Sequence, residues 1–208
     1  LTVVISPLIA LMKDQVDGLQ KRGIDAAFIN STLSKGERQK RYKNVAEGKY
    51  RMLYVSPERF RKEDFKKSIE GRTVSLLAID EAHCVSQWGD DFRPDYARIA
   101  EFREILGNPV TMALTATATP KVQQDIVRAL GIPVDEISVY NEGTCRSNLS
   151  LHVEEVLDDG EKYAILLDKI RSTPGNRIIY FNLIQGIERF ASYLDMQGEP
   201  YLVYHGKL

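Results

Sequence analysis

The sequence predicts an α/β fold in which a parallel sheet is flanked by helices. Short apolar runs of strand length alternate along the 208-residue chain with longer segments whose apolar residues recur at helical spacing. This alternation is typical of parallel sheets, because a helical crossover returns the chain to the edge where the next strand begins. The alternation loosens once and then resumes, which predicts a first domain followed by the opening part of a second.

The first domain is predicted to span residues 1–142. Its strands are predicted at residues 1–5, 26–30, 52–55, 74–79, 110–114 and 137–140. Apolar residues recur with the helical period in residues 8–19 and again in residues 122–130. Thr119 and Pro120 form a typical helix start, because threonine caps free backbone N–H groups and proline fits the first helical position.

Residues 143–148 are predicted to be a linker, because the apolar pattern gives way there to polar and flexible residues. The second domain is predicted to occupy residues 149–208. Its strands are predicted at residues 149–156, 177–181 and 201–204, and its helices at residues 161–172 and 183–197. Because the chain starts and stops abruptly within strand-like runs, we expect it to be a fragment of a longer protein.

The composition narrows the classes of function. A formal net charge of -1 argues against a histone-like binder of polyanions, although a local basic groove can still bind nucleic acid. Cys84 and Cys145 lack the paired spacing of a disulfide framework or a zinc site, so reduced intracellular thiols are expected. No apolar stretch has the length of a membrane span, so no membrane partner is expected.

Two carboxylates, Asp80 and Glu81, directly follow the apolar run at residues 74–79. In an open parallel sheet ligands bind beyond the carboxyl ends of the strands, so this pair is placed to serve a magnesium–nucleotide complex. We expect Asp80 to hold Mg²⁺ through its water shell and Glu81 to polarise an attacking water. His83 could relay the nucleotide state to a neighbouring motif. The alternative is that Asp80 only caps the next helix.

The segment after the carboxylates is rich in residue types that contact nucleic acid. Trp88, Phe92, Arg93 and Tyr96 belong to the types that stack on bases and follow phosphates. Trp88 could instead be a core tryptophan, but its neighbours in the sequence are polar or flexible. Nucleotide chemistry and nucleic-acid contact would then share one short segment, as in a motor.

Thr115, Ala116 and Thr117 follow the predicted strand at residues 110–114. Small hydroxyl side chains at a strand end can hydrogen-bond a neighbouring carboxylate or helix terminus without steric cost. Taken alone the motif could equally be a plain turn. We interpret it as a coupling motif because it comes one strand–helix unit after Asp80 and Glu81.

Together these motifs resemble the RecQ family of DNA helicases. The resemblance is carried by Asp-Glu-Ala-His-Cys-Val-Ser-Gln-Trp-Gly at residues 80–89, Asp-Phe-Arg-Pro at residues 91–94 and Ala-Leu-Thr-Ala-Thr-Ala at residues 113–118. Further segments similar to motifs of the family lie at residues 6–15, 30–32, 54–59, 178–182 and 204–208. The Gln-Trp-Gly sequence separates RecQ from other Asp-Glu-Ala-His helicases, and the similarity extends along the whole chain.

The resemblance implies two RecA-like domains with ATP and Mg²⁺ in the cleft between them. It implies 3′ to 5′ translocation on single-stranded DNA and unwinding of duplex and forked DNA in repair and recombination. The location would be the cytoplasm or nucleoid of a bacterium, or the nucleus of a eukaryote. It also implies DNA contacts for Ser6, Pro7, Leu8, Lys13, Gln15, Ser31, Thr32, Ser56, Pro57, Glu58, Arg59, Gln87, Trp88, Phe92, Arg93, Asn182, His205 and Gly206.

The sequence departs from the pattern of the family at several points. Asp90 stands where the family usually has histidine, and we expect its negative charge to alter contact with a phosphate backbone. Ser147 stands where proline is common after the arginine, here Arg146, so a looser linker is expected. The phosphate-cradling loop Gly-x-x-x-x-Gly-Lys-Ser/Thr does not occur in this sequence. We therefore expect the segment by itself to be catalytically inactive.

Two other classes of function are alternatives to a DNA helicase. A non-catalytic DNA-binding or regulatory module would have no need of Asp80, Glu81 and the coupling motif, which disfavours it. An RNA helicase could share the Asp-Glu-Ala-His sequence, but the aromatic segment at residues 88–96 disfavours that class. Comparing stimulation by single-stranded DNA and single-stranded RNA separates the two kinds of helicase.

Overall fold

Two units make up the chain, Leu1–Asn141 and Glu142–Leu208. The computed structural model describes residues 1–87, 91–141, 143 and 148–207. The interpretations given above for Trp88, Asp90, Cys145, Arg146 and Ser147 fall outside these residues.

A five-stranded parallel sheet forms the centre of the first unit, as predicted. The strands are β1 Thr2–Ile5, β2 Ala26–Ile29, β3 Met52–Val55, β4 Leu76–Ile79 and β5 Val110–Ala113. Their spatial order is β2-β3-β1-β4-β5. β1 is therefore central. From β1 the chain crosses to β2 at one side of the sheet, returns to β3 beside β1, and then adds β4 and β5 on the other side.

Helices connect these strands and cover the sheet. They are α1 Ile9–Lys21, α2 Lys35–Ala46, α3 Glu63–Ile69, α4 Ile99–Ile105 and α5 Pro120–Leu130. The connection from β1 to β2 runs along the sheet in the direction opposite to the later ones. Right-handed crossovers then place α1 on one face and α2, α3 and α4 on the other. Consecutive residues of β1 and β4 are buried, as expected for strands covered on both faces.

Aromatic residues from the connecting segments fill the space between the sheet and its helices. Phe60 stacks on Phe102 of α4 with ring centroids 4.3 Å apart, and it forms a T-shaped pair with Phe65 of α3 at a centroid distance of 5.0 Å. All three rings are at most 1% exposed. Burying a side chain of this size stabilises the fold by about 1.5–3 kcal/mol, so this cluster fixes α3 and α4 against the sheet.

The start of α2 is marked by capping. Only Tyr42 and Val45 of this helix are buried, and most of its other residues are charged or polar, so no apolar stripe announces it. Ser34 caps the helix by accepting from the backbone N–H of Glu37, while the Glu37 carboxylate accepts from the backbone N–H of Ser34. This reciprocal pair is a sequence signal for a helix start. Thr119 likewise caps α5 by accepting from Val122 N–H, as predicted.

The strand predicted at residues 137–140 is wrong. A short 3-10 helix, Val134–Glu136, precedes it, and the following residues form no strand. Ile137 packs against the core, but Val139 is 66% exposed and Tyr140 is 92% exposed, so two of the three apolar side chains that suggested a strand are largely in solvent. An apolar run makes a strand only where a neighbouring strand accepts its backbone hydrogen bonds, and the described residues supply none here.

In its described residues the second unit contains two helices, α6 Asp159–Ser172 and α7 Ile184–Gln197, close to their predicted bounds. Tyr163 and Leu167 of α6 pack against Phe190 and Leu194 of α7. The aromatic rings of Tyr163 and Phe190 lie 5.2 Å apart. This small core holds the two helices together.

The strands predicted at residues 149–156, 177–181 and 201–204 are not formed in the described part of the second unit. In residues 177–181, buried and exposed side chains nevertheless alternate as they would in a strand. Ile179 and Phe181 pack on the helices, whereas Ile178 is 77% and Tyr180 is 87% exposed. This alternation of covered and exposed side chains is the period of a strand with one face packed, but it does not specify a partner strand.

Candidate functional site

Polar residues line one edge of the parallel sheet. β2, β1 and β4 run directly into Asn30, Ser6 and Asp80, and β3 runs into Ser56. The backbone ladder continues through these residues, since Ser6 N–H donates to a carbonyl of β3 and Asp80 N–H donates to a carbonyl of β1. Because all strands are parallel, their carboxyl ends bring these side chains to the same edge. Ligands of open α/β sheets bind at such an edge.

Besides donating its N–H to β1, Asp80 accepts three hydrogen bonds at this edge. Its Oδ2 accepts from the Ser6 hydroxyl at 3.1 Å, and its Oδ1 accepts from the backbone N–H of Glu81 at 3.0 Å. Its main-chain carbonyl accepts from the Tyr96 hydroxyl at 3.0 Å. The carboxylate is half-buried and oriented, yet still accessible.

Glu81 adopts a left-handed backbone conformation, with φ 48 and ψ 48. A residue with a Cβ atom is strained there by about 1–3 kcal/mol, and such strain concentrates at functional sites. The conformation turns the chain sharply from β4 into the 3-10 turn Ala82–Val85. As a result, Oε2 of Glu81 lies 3.2 Å from Nδ1 of His83.

His83 connects Glu81 to the coupling motif. Its Nδ1 lies 2.9 Å from Oγ1 of Thr115. Thr115 donates its single hydroxyl proton to the carbonyl of Thr117 at 3.0 Å, so Oγ1 can only accept from His83. The Glu81 carboxylate can also only accept. Both neighbours therefore require a proton on Nδ1, and the imidazole bridges a carboxylate on one strand end and a hydroxyl on the next.

The carboxylates suit a hydrated magnesium ion. Among the described residues, no group of three or more His, Cys, Asp or Glu side chains forms a cage for a metal. Mg²⁺ keeps several waters and is commonly held by one or two carboxylates together with substrate phosphates. Asp80 and Glu81 at an open edge fit that mode of binding.

Several residues predicted to contact DNA are buried. Ser6 is 1% exposed and donates to Asp80, and Ser56 is 2% exposed and donates to the Glu58 carboxylate at 2.6 Å. Pro7 and Pro57 are buried as well, and Arg59 is 9% exposed. The serine hydroxyls are already engaged inside the fold, so these residues shape the strand ends, and a contact with DNA stays a prediction for them.

Other residues of the predicted set do present their side chains to solvent. Thr32 receives support from Asn30, a buried residue whose Oδ1 accepts from both the N–H and the hydroxyl of Thr32. Asn30 belongs to the segment at residues 30–32 that resembles a motif of the family, and its position directly after β2 is the signal that marks it as a site residue. The exposed members in the first unit are Lys13, Gln15, Ser31, Thr32, Gln87 and Phe92, and Leu8, Glu58 and Arg93 are half-buried.

Arg93 ties the aromatic segment to the end of β1. It donates through one terminal nitrogen to the carbonyl of Pro7 at 2.8 Å. Its other nitrogens donate to Oδ2 of Asp91 at 2.9 and 3.1 Å, and this hydrogen bond lowers the pKa of Asp91. Arg93 thus joins two segments that were both predicted to contact DNA.

Tyr96 is not available for stacking on bases. Its side chain is fully buried, and burial raises the pKa of its hydroxyl well above the ordinary value. The ring lies in the core because Tyr96 belongs to a 3-10 helix, Pro94–Arg98, that packs beneath the carboxylate pair. The sequence shows an aromatic residue beside Arg93 but not which way its ring faces, so the stacking interpretation for Tyr96 is wrong.

The remaining predicted residues belong to the second unit. Asn182 is exposed and lies just before the N-cap of α7, Leu183. His205 is half-buried, and its Nδ1 accepts from the backbone N–H of Lys207 at 3.3 Å. Gly206 is exposed, with open space where a side chain would be. A shared site with the first unit stays a prediction for all three.

Comparison with known proteins decides the family. The family model described as DEAD/DEAH box helicase matches residues 1–126. The chain belongs to the DEAD/DEAH box helicase family. Within the described residues, no helix of this family member is long and apolar enough to cross a membrane.

Curated relatives of this DEAD/DEAH box helicase chain carry RecQ names, which confirms the resemblance drawn from its motifs. It is 53% identical over 153 residues to the ATP-dependent DNA helicase RecQ of Bacillus subtilis, covering 73% of this chain and 26% of that protein. It is 40% identical over 205 residues to the RecQ of Haemophilus influenzae, covering 99% of this chain and 32% of that protein. The chain thus spans about a quarter to a third of the length of these relatives.

A solved structure adds little to this assignment. The Pyrococcus furiosus Hef helicase domain is 22% identical and has a TM-score of 0.45, covering 63% of this chain and 27% of that one.

Proposed function

We propose that this chain is part of an ATP-dependent DNA helicase of RecQ type that hydrolyses ATP to move along single-stranded DNA. The observation that supports this most directly is the position of the His83 imidazole. Its Nδ1 is 3.2 Å from Glu81 and 2.9 Å from Thr115, so one ring contacts both the hydrolytic carboxylate and the coupling motif. A protein that only binds DNA would have no use for this connection.

In this proposal each residue of the site has one role. Glu81 accepts a proton from the attacking water, and Asp80 holds the water shell of the metal ion. Bound Mg²⁺ would supply charge neutralisation at the phosphates. His83 passes the state of Glu81 to Thr115, Ala116 and Thr117. Because Asp80 is already oriented by Ser6, the carboxylate needs little rearrangement when the nucleotide binds.

The DNA substrate is proposed to be single-stranded and forked, with movement in the 3′ to 5′ direction and a role in repair and recombination. The two units are proposed to belong to two RecA-like domains, at residues 1–142 and 149–208, joined by a linker. Nucleus, nucleoid or cytoplasm would follow from the source organism. The printed RecQ names of the relatives support the family of activity, and their length supports a longer parent protein.

The segment alone is proposed to be inactive. Its sequence has no Gly-x-x-x-x-Gly-Lys-Ser/Thr loop to bind the phosphates. ATP turnover should therefore be measured on a longer helicase that contains this chain, with and without single-stranded DNA.

Glu81→Gln is the variant that tests the proposed role of Glu81 in that longer protein. We expect DNA-stimulated turnover to fall by about 100-fold or more, since the amide cannot accept a proton. Glu101→Gln is the matched control, because Glu101 is an exposed carboxylate of α4 paired with Arg98. Absence of turnover in the folded parent would favour a regulatory module, and stimulation by RNA alone would favour an RNA helicase.

A further inference from the structure

A hydrogen bond joins the turn after the carboxylate pair to α5. Ser86 follows the 3-10 turn Ala82–Val85, and its hydroxyl donates to Oδ2 of Asp125 at 2.7 Å. Ser86 is 1% exposed and the Asp125 side chain is 15% exposed. A hydrogen bond to a charged acceptor that is shielded from water is stronger than its surface counterpart. The two residues are 39 positions apart, so no local sequence pattern announces the contact.

The same turn is attached at its other end to the segment that precedes α5. The backbone N–H of Ala82 donates to the carbonyl of Leu114 at 2.9 Å, and His83 contacts Thr115 at 2.9 Å. The turn is therefore held at both ends by residues 114–125. One attachment lies at the coupling motif and the other at Ser86, where the chain enters the aromatic segment.

The segment between these two attachments is internally braced. Thr115 and Thr117 hydrogen-bond each other, and Thr119 caps α5. The Gln123 side chain donates to the carbonyl of Ala118 at 3.0 Å. Displacement of the coupling motif should therefore carry α5, and with it Asp125, along.

We propose that Asp125 is a positioning residue that sets the backbone at Ser86 and so links the coupling motif to the start of the aromatic segment. This inference rests on the proposed function and adds a second route to the one through His83. A purely structural role is the competing explanation. A purely structural role predicts that mutation lowers the stability of the fold without any effect on the aromatic segment at residues 88–96.

Trp88 provides the first test, because it is the only tryptophan and follows Ser86 by two positions. Its emission is measured in this chain for the wild type, Ser86→Ala, Asp125→Ala and the double variant. We expect both single variants to shift the emission maximum, and the double variant to shift it no further than Asp125→Ala, since both substitutions remove the same hydrogen bond between Ser86 and Asp125. Asp125→Ala also removes the ion pair with the exposed Arg128, at 3.2 Å, so Arg128→Ala is measured beside it and should leave the emission unchanged. Asp125→Asn should shift it less, because the amide keeps an oxygen that can accept.

Ser68→Ala is the matched control for lost stability. Ser68 is also a buried serine, 5% exposed, and its hydroxyl donates to the carbonyl of Phe65 at 2.7 Å within α3. Its loss should lower stability and leave the emission unchanged. Wild-type emission in folded Ser86→Ala and Asp125→Ala would overturn the proposal, and so would an equal shift in Ser68→Ala.

ATP turnover in the longer helicase separates this inference from the proposed function. We expect Asp125→Ala to reduce the stimulation by single-stranded DNA about tenfold, as loss of one charged hydrogen bond allows, with basal turnover unchanged. Stimulation that stays at the wild-type level in Asp125→Ala would overturn the positioning role alone. A wild-type parent that hydrolyses no ATP would instead overturn the proposed function.

Discussion

Glu81 combines a strained backbone with a side chain that faces His83. Its φ of 48 is favoured by glycine, which lacks the Cβ atom that crowds the left-handed region. The strain is tolerated because the N–H groups on either side of the turn are satisfied by Asp80 and Leu114. Stability is thus given up at a position where the side chain is proposed to act.

Replacing Glu81 with glycine should relieve this strain. Glu81→Gly is expected to be more stable than Glu81→Ala by about 1 kcal/mol, because alanine keeps the Cβ atom. Urea unfolding of both variants measures the difference in the free energy of unfolding. Asn108, with a φ of 52, gives the reference pair Asn108→Gly and Asn108→Ala. Equal stability of the two Glu81 variants would show that the backbone there is relaxed.

The Cys84 thiol should make the free energy of unfolding depend on pH. Burial raises the pKa of its thiol from 9.0 to about 11, with the nearby Asp91 carboxylate adding to the effect. The unfolded chain therefore loses this proton at lower pH than the folded chain does. The contribution is intact below pH 9 and is lost as pH rises from about 9 towards 11.

Urea unfolding of the wild type and of Cys84→Ala across that pH range tests whether Cys84 causes this pH dependence. We expect the free energy of unfolding of the wild type to fall more steeply than that of the variant. The pKa of Tyr96 is also raised, mainly by burial and then by the neighbouring Cys84, so Cys84→Ala weakens this second contribution in the same direction as the first. Parallel curves for the two proteins would contradict the assignment.

At the scale of elements, specific residues determine where α5 begins and where it ends. Thr119 caps its first turn, and Gly131 ends it in the left-handed conformation, with a φ of 62. A Cβ atom on Gly131 would lie 2.9 Å from Cβ of Ala100 in α4. The glycine therefore serves both the helix end and the close approach of α4.

Comparing two glycines separates these two effects. Gly107 also has a positive φ, 80, but a Cβ atom there would meet nothing within 4 Å. Gly107→Ala should cost about 1–2 kcal/mol from the backbone alone. Gly131→Ala should cost more, because α4 and α5 must also move apart. Thermal and urea unfolding measure both costs, and equal costs would mean that α4 adapts freely.

At the scale of the whole molecule, charge bears on how DNA would be bound. The net charge of -1 offers no general attraction to a polyanion, so binding depends on where single cations lie. Lys13 belongs to α1, which starts just after the end of β1, and its side chain is 66% exposed. Lys49 is 58% exposed but lies just before β3, at the opposite edge of the sheet.

The salt dependence of single-stranded DNA binding tests whether the predicted edge carries the phosphates. Lys13→Ala should reduce the slope of log K against log salt by about 0.7, the value for one phosphate contact on a single strand. Lys49→Ala is the control, since both lysines form an ion pair with a neighbouring carboxylate. Trp88 emission can follow the titration. A change in slope with Lys49→Ala alone would place the DNA elsewhere.

Much of the first unit could be predicted from the sequence. The five strands of the sheet, the first helix and α5 with its Thr119 cap were all indicated by apolar period and capping residues. The apolar period did not indicate α2, because most residues of this helix are charged or polar. The strand at residues 137–140 and those of the second unit were wrong, since strand formation needs a partner that an apolar run does not specify.

Part of the candidate site could likewise be predicted from the sequence, and part of it could not. Asp80, Glu81, His83 and Thr115 were recognisable because each lies at or just after a strand end. The burial of Tyr96 and of Ser6 was not recognisable, because burial depends on packing between segments far apart in the chain. The contact between Ser86 and Asp125 was missed for the same reason.

The sequence by itself determined the alternation of strands and helices in the first unit, the polar residues that follow β1 to β4 and the family to which the chain is similar. These are local features, decided by side-chain type and spacing. Only the tertiary structure decided the order β2-β3-β1-β4-β5, which sets Ser6 beside Asp80 and Thr115 near His83. Strand order depends on pairing between distant segments, and no local pattern contains that information.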